Sequence, residues 1–163
     1  MSKDERIKCF SYNGVVNRKG VMILGIPTFE EITRLNQAAD RTSTEDMAET
    51  IIIPENKPDI EQINQMQIKM CLTGAWLMTV RSRIFIEATI WQKIIYTSCD
   101  SDQPVHTVEN EFPISDSVSI SSIPPETDVF ETIVLAPFDA FVQKIDSRTM
   151  FKNVITRVFF FEP

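Results

Sequence analysis

The sequence predicts a mainly β protein: an antiparallel β-sandwich, jelly-roll or immunoglobulin-like, with one helix near the N-terminus. Apolar residues alternate with other residues along Ile84–Tyr96, which is the period of a strand with one buried face. Further short apolar segments follow at regular intervals and are separated by prolines, as in an antiparallel sandwich or barrel. No helix-length pattern interrupts them, which argues against a parallel α/β sheet. With 163 residues, the chain fits one domain, or one domain with a substantial appendage.

Residues 1–46 are predicted to form an N-terminal extension with a short hairpin and a helix. Two apolar stretches, Ile7–Tyr12 and Val21–Ile26, indicate two short strands. The intervening Asn13-Gly14 favours a tight turn, because both residues tolerate positive φ. Exchange of this extension between subunits is one alternative to its packing within one chain.

The helix is the clearest local signal in the extension. Thr28 can cap a helix N-terminus, and Glu31, three residues on, can return the hydrogen bond. Apolar residues then recur at helical spacing. This pattern predicts a helix over Phe29–Arg41, and the polar residues 40–46 predict a surface loop after it.

A β-rich domain is predicted over residues 47–163. β-Branched residues favour a strand within Met47–Ile53, which Pro54 ends. Pro58 suits the first position of one helical turn that reaches Ile63. The later strands are predicted at Ile68–Val80, either as one strand or as two short ones bent at Gly74, and at Ile84–Tyr96, Val105–Phe112, Ile114–Ile120, Val129–Ala136, Phe138–Ile145 and Met150–Phe161.

Composition excludes several classes of function. The chain carries 16 basic and 23 acidic residues, a net charge of −7, whereas binding to nucleic acid or to an anionic membrane needs a basic face. No run of eighteen apolar residues predicts a membrane-spanning helix. The polar segment Met1–Lys8 lacks the apolar core of a secretory signal, so we expect the protein to stay in the compartment where it is made.

The sequence also gives no sign of an enzyme or of a cofactor. Phosphate-binding glycine motifs are absent, and His106, the single histidine, has no nucleophile or orienting partner that the sequence can place beside it. Asp100 and Asp102 offer oxygen ligands in a predicted turn, so calcium is an alternative, although the EF-hand spacing is missing. We therefore expect no catalytic residue, no cofactor and no resident metal.

The three cysteines, Cys9, Cys71 and Cys99, leave two alternatives open. Their number is odd, their spacing is wide and no CxxC pair occurs, so a zinc knuckle or a thioredoxin-like motif is not expected. Either all three are reduced or buried thiols, or at least one cross-links to another chain.

The C-terminal strand is apolar on both faces. Phe159 and Phe161 share one face, while Val158 and Phe160 share the other, so both faces need to be covered. This pattern predicts a central strand buried between two layers, or else a strand that assembles with a neighbouring subunit.

Charge is unevenly distributed along the second half of the chain. No Lys or Arg lies between Lys93 and Lys144, whereas the tail that follows is basic. Either these charges are solvated, or an acidic surface of one copy meets a basic surface of the next. The basic residues of the tail are Lys144, Arg148, Lys152 and Arg157.

Two segments resemble the signatures of the SPOCS-domain family. Residues 51–63, Ile-Ile-Ile-Pro-Glu-Asn-Lys-Pro-Asp-Ile-Glu-Gln-Ile, are similar to its opening pattern of an apolar strand followed by Pro-x-x-Lys-Pro-Asp-Ile-Glu-x-Ile. Residues 94–96, Ile-Ile-Tyr, and 102–106, Asp-Gln-Pro-Val-His, resemble its second signature. Residues 109–113, Glu-Asn-Glu-Phe-Pro, resemble the acidic strand that follows. The resemblance covers roughly residues 47–160.

The resemblance implies a structural protein of endospore-forming clostridia and their relatives. It implies synthesis in the mother-cell cytoplasm, deposition in the coat or exosporium, and self-association into an ordered layer or fibre, with other spore coat or exosporium proteins as further partners. The signatures are not catalytic, so we expect their residues to shape turns: Lys57, Pro58, Asp59, Gln103, Pro104 and His106. Asp59 is expected to cap the short helical turn.

A non-catalytic adaptor is the rival hypothesis. Such a module would bind another spore coat protein or a cell-wall glycan. Exposed aromatic side chains such as Trp76 or Trp91 stack well on sugars, although core packing is the alternative for both.

Overall fold

The computed structural model describes residues 7–16, 22–24, 26–78, 82–99, 105–120 and 123–162. Within these ranges the chain forms eight β-strands, one α-helix and one 3-10 turn. Their bounds are β1 Lys8–Val16, β2 Met22–Leu24, α1 Ile26–Ala38, β3 Arg41–Ile52, β4 Ile60–Met78, β5 Arg83–Ser98, β6 Val105–Ser119, the 3-10 turn Val129–Thr132, β7 Ile133–Asp146 and β8 Thr149–Phe160.

The strands form two antiparallel sheets. Sheet A has five strands in the order β2-β1-β4-β5-β6, and sheet B has three in the order β3-β8-β7. The predicted mainly β architecture and the helix near the N-terminus are confirmed. The jelly-roll or immunoglobulin-like topology stays a prediction.

One apolar core lies between the inner faces of the two sheets. Strand β5 buries every second side chain, among them Ile84, Ile86 and Ile90, and the next residues point outward. Strand β8 faces it with Met150 and Val154. Because side chains alternate along a regular strand, the sequence pattern of β5 determines which of its faces enters this core.

A bulge at Gly74 changes which residues of β4 point inward. The register of β4 against β5 shifts between Leu72 and Gly74. Before the shift Met70 and Leu72 are buried, and after it Ala75 and Leu77 pack against the core. The extra residue of a bulge reverses the alternation, so Trp76 points out of the core. Of the two predicted alternatives, the structure has the single strand, which continues through Gly74 from Ile60 to Met78.

Sheet pairing overrides the local pattern in several places. The breaks predicted at Pro113 and Pro137 are wrong, since β6 and β7 continue through these prolines. The loop predicted at residues 40–46 is part of β3, whose whole length pairs with β8, from Arg41 opposite Phe160 to Ile52 opposite Thr149. The predicted boundary between residues 46 and 47 therefore falls inside this strand. The helical turn predicted after Pro58 is also absent, since β4 begins at Ile60.

The N-terminal hairpin pairs as predicted, but its turn does not lie at Asn13-Gly14. Strand β1 continues through Gly14 to Val16, which pairs with Met22 of β2. The connecting residues 17–20 lie outside the described residues, as does the side chain of Glu31. Helix α1 begins at Ile26, so Thr28 lies within its first turn instead of capping it.

The C-terminal strand is the middle strand of sheet B. Val158, Phe159 and Phe160 are buried, and β3 and β7 pair on either side of them. Phe159 packs on the outer side with Leu35 and Ala39 at the end of α1. The expectation that Val158, Phe159, Phe160 and Phe161 form an assembly strand is corrected accordingly: both edges and both faces are already covered within this chain.

The described helix does not combine the length and the hydropathy that a membrane crossing requires.

Candidate functional site

Residues 53–60 form a loop between β3 and β4 that is fastened to the turn between β7 and β8. The amide of Ile53 donates to the carbonyl of Arg148 at 2.8 Å, and the amide of Ile60 donates to the carbonyl of Ser147 at 2.8 Å. Within the loop, the Lys57 amide donates to the Pro54 carbonyl at 2.9 Å. The first signature segment is therefore held at both ends by a second part of the chain.

The guanidinium of Arg148 binds the interior of this loop. Its Nη1 donates to the Lys57 carbonyl at 2.6 Å and to the Asp59 carboxylate at 3.0 Å. Its Nη2 donates to the Pro54 carbonyl at 2.7 Å and to the Ile53 carbonyl at 3.1 Å. A planar guanidinium offers several donors in a fixed arrangement, so one side chain can satisfy several loop carbonyls at once. We call this set of contacts the Arg148 clamp.

Asp146 stabilises the turn that carries Arg148. The Arg148 amide donates to Asp146 Oδ1 at 2.8 Å, and this hydrogen bond is the main reason why the pKa of Asp146 lies below its usual value. Because the carboxylate is fully exposed, the contact shapes the turn without adding a buried charge.

Tyr96 joins the two signature segments from inside the core. Its hydroxyl donates to the Pro58 carbonyl at 2.9 Å, and its ring lies 5.7 Å from the ring of His106, centroid to centroid. The side chain is fully buried, and burial is the main cause of a raised Tyr96 pKa. A buried phenol needs such a partner for its hydroxyl.

The predicted signature residues thus occupy different parts of one structural site. Lys57 and Pro58 contribute backbone carbonyls, Asp59 contributes its carboxylate, and His106 contributes its ring. The predicted capping of a helical turn by Asp59 is wrong, since no such turn forms there. Gln103 and Pro104 lie outside the described residues, as do Asp100 and Asp102 of the calcium alternative.

Sequence reasoning missed the role of Arg148. It was grouped with the basic tail, and nothing in its local sequence indicates a partner about ninety positions away along the chain. The local sequence does predict the turn Asp146-Ser147-Arg148 between two strands. A turn pattern does not indicate which distant loop the turn contacts.

The cysteines divide into a bonded pair and one exposed thiol. Cys9 of β1 and Cys71 of β4 stand directly opposite each other and form a disulfide within the chain. The expectation that either one cross-links to another subunit is therefore corrected, because each sulfur already has its partner. Cys99, after β5, is free and exposed.

Most basic residues of the tail bind partners within the same chain. Lys152 is buried and lies 3.1 Å from the Glu49 carboxylate, Arg148 makes the clamp, and Arg157 bonds Thr44 and Asn36. The proposed contact between an acidic surface and this basic tail is corrected for these three residues, since their charged groups already have partners in the same chain.

An exposed aromatic group lies on the outer face of sheet A. Trp76 is 47% exposed and tilts over Phe85, with ring centroids 6.1 Å apart. Its indole covers Gly74 so closely that a Cβ added there would lie 2.9 Å from Trp76 Cζ2. Trp91 lines a shallow cavity of about 560 Å³ farther along the same face.

No group of three or more metal-ligating side chains occurs within the described part of the chain.

Comparison with known proteins identifies the class. The family model described as SipL, SPOCS domain matches residues 59–146, which is more than half of the chain. The chain belongs to the SPOCS-domain family, a sporulation-related group, and the suspected resemblance is confirmed. No curated protein matches it, and no solved structure matches it either.

Proposed function

We propose that this protein is a structural component of the spore surface, in the coat, the exosporium or an appendage, and that it assembles with copies of itself into an ordered layer or fibre. Family membership supports the sporulation setting. The observation that carries the assembly is the presence of exposed apolar groups on two outer faces that lie on opposite sides of the core.

The first of these faces belongs to sheet A. Along β4 from Trp76, Met78 is 46% exposed, and the half-buried Phe85 stands opposite Trp76 on β5. Large apolar side chains clustered on an exposed sheet face are characteristic of protein contact sites.

The second face belongs to sheet B. Ile52, at one end of β3, is 72% exposed, and Ile145 at the end of β7 is 57% exposed. Phe151 and Phe141 lie half-buried on the outer side of the neighbouring strands. Since the two faces do not overlap, contact between the A face of one copy and the B face of the next leaves a free face at each end, and such heterologous contacts build open assemblies.

Complementary variants test this arrangement. Trp76→Lys should disable only the A face and Ile52→Lys only the B face, so each should raise the concentration needed for assembly by about tenfold or more, as expected for charging an apolar contact. A mixture of the two variants retains one intact A face and one intact B face per pair, so it should form dimers and nothing larger. Sedimentation velocity and electron microscopy measure both results.

Gln37→Lys is the matched control, because it adds the same charge at an exposed position of α1, next to the end of β3 that is opposite to Ile52. It should assemble like the unmodified protein. The proposal is refuted if the unmodified protein stays a monodisperse monomer at high concentration, under reducing and oxidising conditions alike.

Cys99 is the residue that we propose locks the assembly covalently. Its thiol is exposed, whereas the other two cysteines are bonded to each other. Cys99→Ser should assemble normally but dissolve more readily in hot detergent than the unmodified assembly, as measured by the fraction remaining in the pellet. Equal resistance of the two assemblies would remove Cys99 from this role.

The rival function is that of an adaptor for another spore protein or for a cell-wall glycan. The exposed indole of Trp76 favours it, because a flat, accessible ring can stack on a sugar. An adaptor should remain monomeric and recover one partner from spore extracts in fixed ratio, and glycan fragments should change its tryptophan fluorescence. Self-assembly without any such partner would decide against it.

A further inference from the structure

A cleft separates the outer strands of the two sheets on one side of the core. Strand β3 is one edge strand of sheet B, and β6 is one edge strand of sheet A. Side chains join them at two points: Ser43 Oγ donates to Asp116 at 3.2 Å, and Asn110 Nδ2 donates to Glu49 Oε2 at 3.2 Å. Between these points a cavity of about 570 Å³ opens.

The cleft contains a buried ammonium group. Lys152 belongs to the central strand β8, and its residue is 0% exposed. Its Nζ lies 4.2 Å from the centre of the Phe112 ring and 3.1 Å from the Glu49 carboxylate, but it makes no well-formed hydrogen bond. Burial lowers the pKa of Lys152, and the carboxylate of Glu49 opposes this shift. A buried ammonium with unused donors is costly.

A second buried polar side chain, that of Gln92, belongs to sheet A. Glu49 is paired with Lys152 in sheet B, and Asn110 is paired with Gln92 in sheet A. The hydrogen bond between Asn110 and Glu49 joins these two strand pairs. Gln92 is 0% exposed, and neither atom of its amide has a hydrogen-bond partner.

Glu49 is the solvent-exposed member of this group. Its side chain is 46% exposed at the mouth of the cleft, while that of Lys152 is 1% exposed. The carboxylate therefore occupies the position where an external anion would meet Lys152 and Asn110.

We propose that the β3–β6 cleft binds a small monocarboxylate with an apolar body, whose carboxylate takes the place of Glu49 on Lys152. The carboxylate would accept hydrogen bonds from Lys152 Nζ and from Asn110 Nδ2, the two groups that now contact the Glu49 carboxylate.

The remaining walls of the cleft define the rest of the ligand. Phe112, Met47 and Ile114 line it and suit an apolar or aromatic body. Glu45 lines the same cleft with one buried, unpartnered oxygen, and burial together with Asp116 raises its pKa. This acidic surrounding disfavours a dianion such as phosphate, so a single negative charge fits best.

Benzoate is a suitable probe, with benzamide as a neutral molecule of the same shape. Isothermal titration calorimetry on the full chain should detect benzoate but not benzamide or phosphate. Lys152→Met should weaken benzoate binding by about tenfold or more, which is the usual effect of losing a hydrogen bond to a charged group. Methionine keeps the volume and the packing of the buried stem, so the fold should persist, which thermal unfolding verifies.

Glu49→Gln distinguishes ligand binding at Lys152 from a purely structural role of the Lys152–Glu49 pair. Removing the competing internal carboxylate should tighten benzoate binding by about tenfold, while Lys144→Met, on the exposed surface, should change nothing. The proposal is overturned if benzoate binds neither the unmodified protein nor Glu49→Gln at millimolar concentration, or if it binds Lys152→Met as well as it binds the unmodified chain.

Discussion

Replacing Arg148 with methionine should lower the free energy of unfolding by about 3 kcal/mol, as measured by urea denaturation. The guanidinium satisfies three loop carbonyls and the Asp59 carboxylate, and methionine leaves all of them without this donor. Each hydrogen bond to a charged donor contributes about 1.5–3 kcal/mol, but the four act together and the Arg148 side chain is 33% exposed, so their contributions do not add in full.

The contrast with lysine makes this prediction specific to the clamp. Arg148→Lys keeps the charge but offers a compact ammonium in place of a planar fork, so it should recover less than half of the loss. Arg157→Met is the matched control, because Arg157 makes exposed contacts with Thr44 and Asn36. If Arg148→Met loses no more stability than Arg157→Met, the clamp does not hold the loop.

Removing the disulfide between Cys9 and Cys71 should have the largest effect on stability. The bond joins residues separated by 62 positions, and in the chain-entropy description a loop of that length stabilises the folded state by about 4 kcal/mol. The double variant Cys9→Ser and Cys71→Ser should therefore unfold at a markedly lower urea concentration than the oxidised protein.

Reduction provides an independent check on the same bond. A reducing agent should destabilise the unmodified protein by a similar amount and leave the double variant unchanged. Hydrogen exchange should accelerate first in β1, because β1 is attached to sheet A through its pairing with β4 and this disulfide. Cys99→Ser is the control and should behave like the unmodified protein. A loss below about 1 kcal/mol for the double variant would contradict the prediction.

The strands with a clear alternating pattern were predictable, and the polar strand was not. In β5 the apolar residues fall on one face, so the strand and its buried side follow from the period alone. Strand β3 begins with a polar segment that resembles a loop, and it is a strand because β8 pairs with its whole length. Propensity in strands depends strongly on such partners, which a local pattern does not contain.

The candidate site also contains residues that the sequence predicted and residues that it did not. The signature residues of the loop were identified in the sequence, as was Tyr96 in the second signature. Their joint position depends on Arg148, which reaches the loop only because β7 and β8 turn beside it. The cysteines show the same limit, since nothing in their spacing indicates that Cys9 and Cys71 stand opposite each other.

The amino-acid sequence by itself determined the β architecture, the inward faces of its clearest strands and membership of a sporulation-related family, because alternation and short motifs are local properties. The tertiary structure alone decided which distant groups meet: Arg148 with the signature loop, Cys9 with Cys71, and the buried Lys152 with Glu49. These contacts join residues about 60 to 100 positions apart, and only the packing of the two sheets brings them within bonding distance.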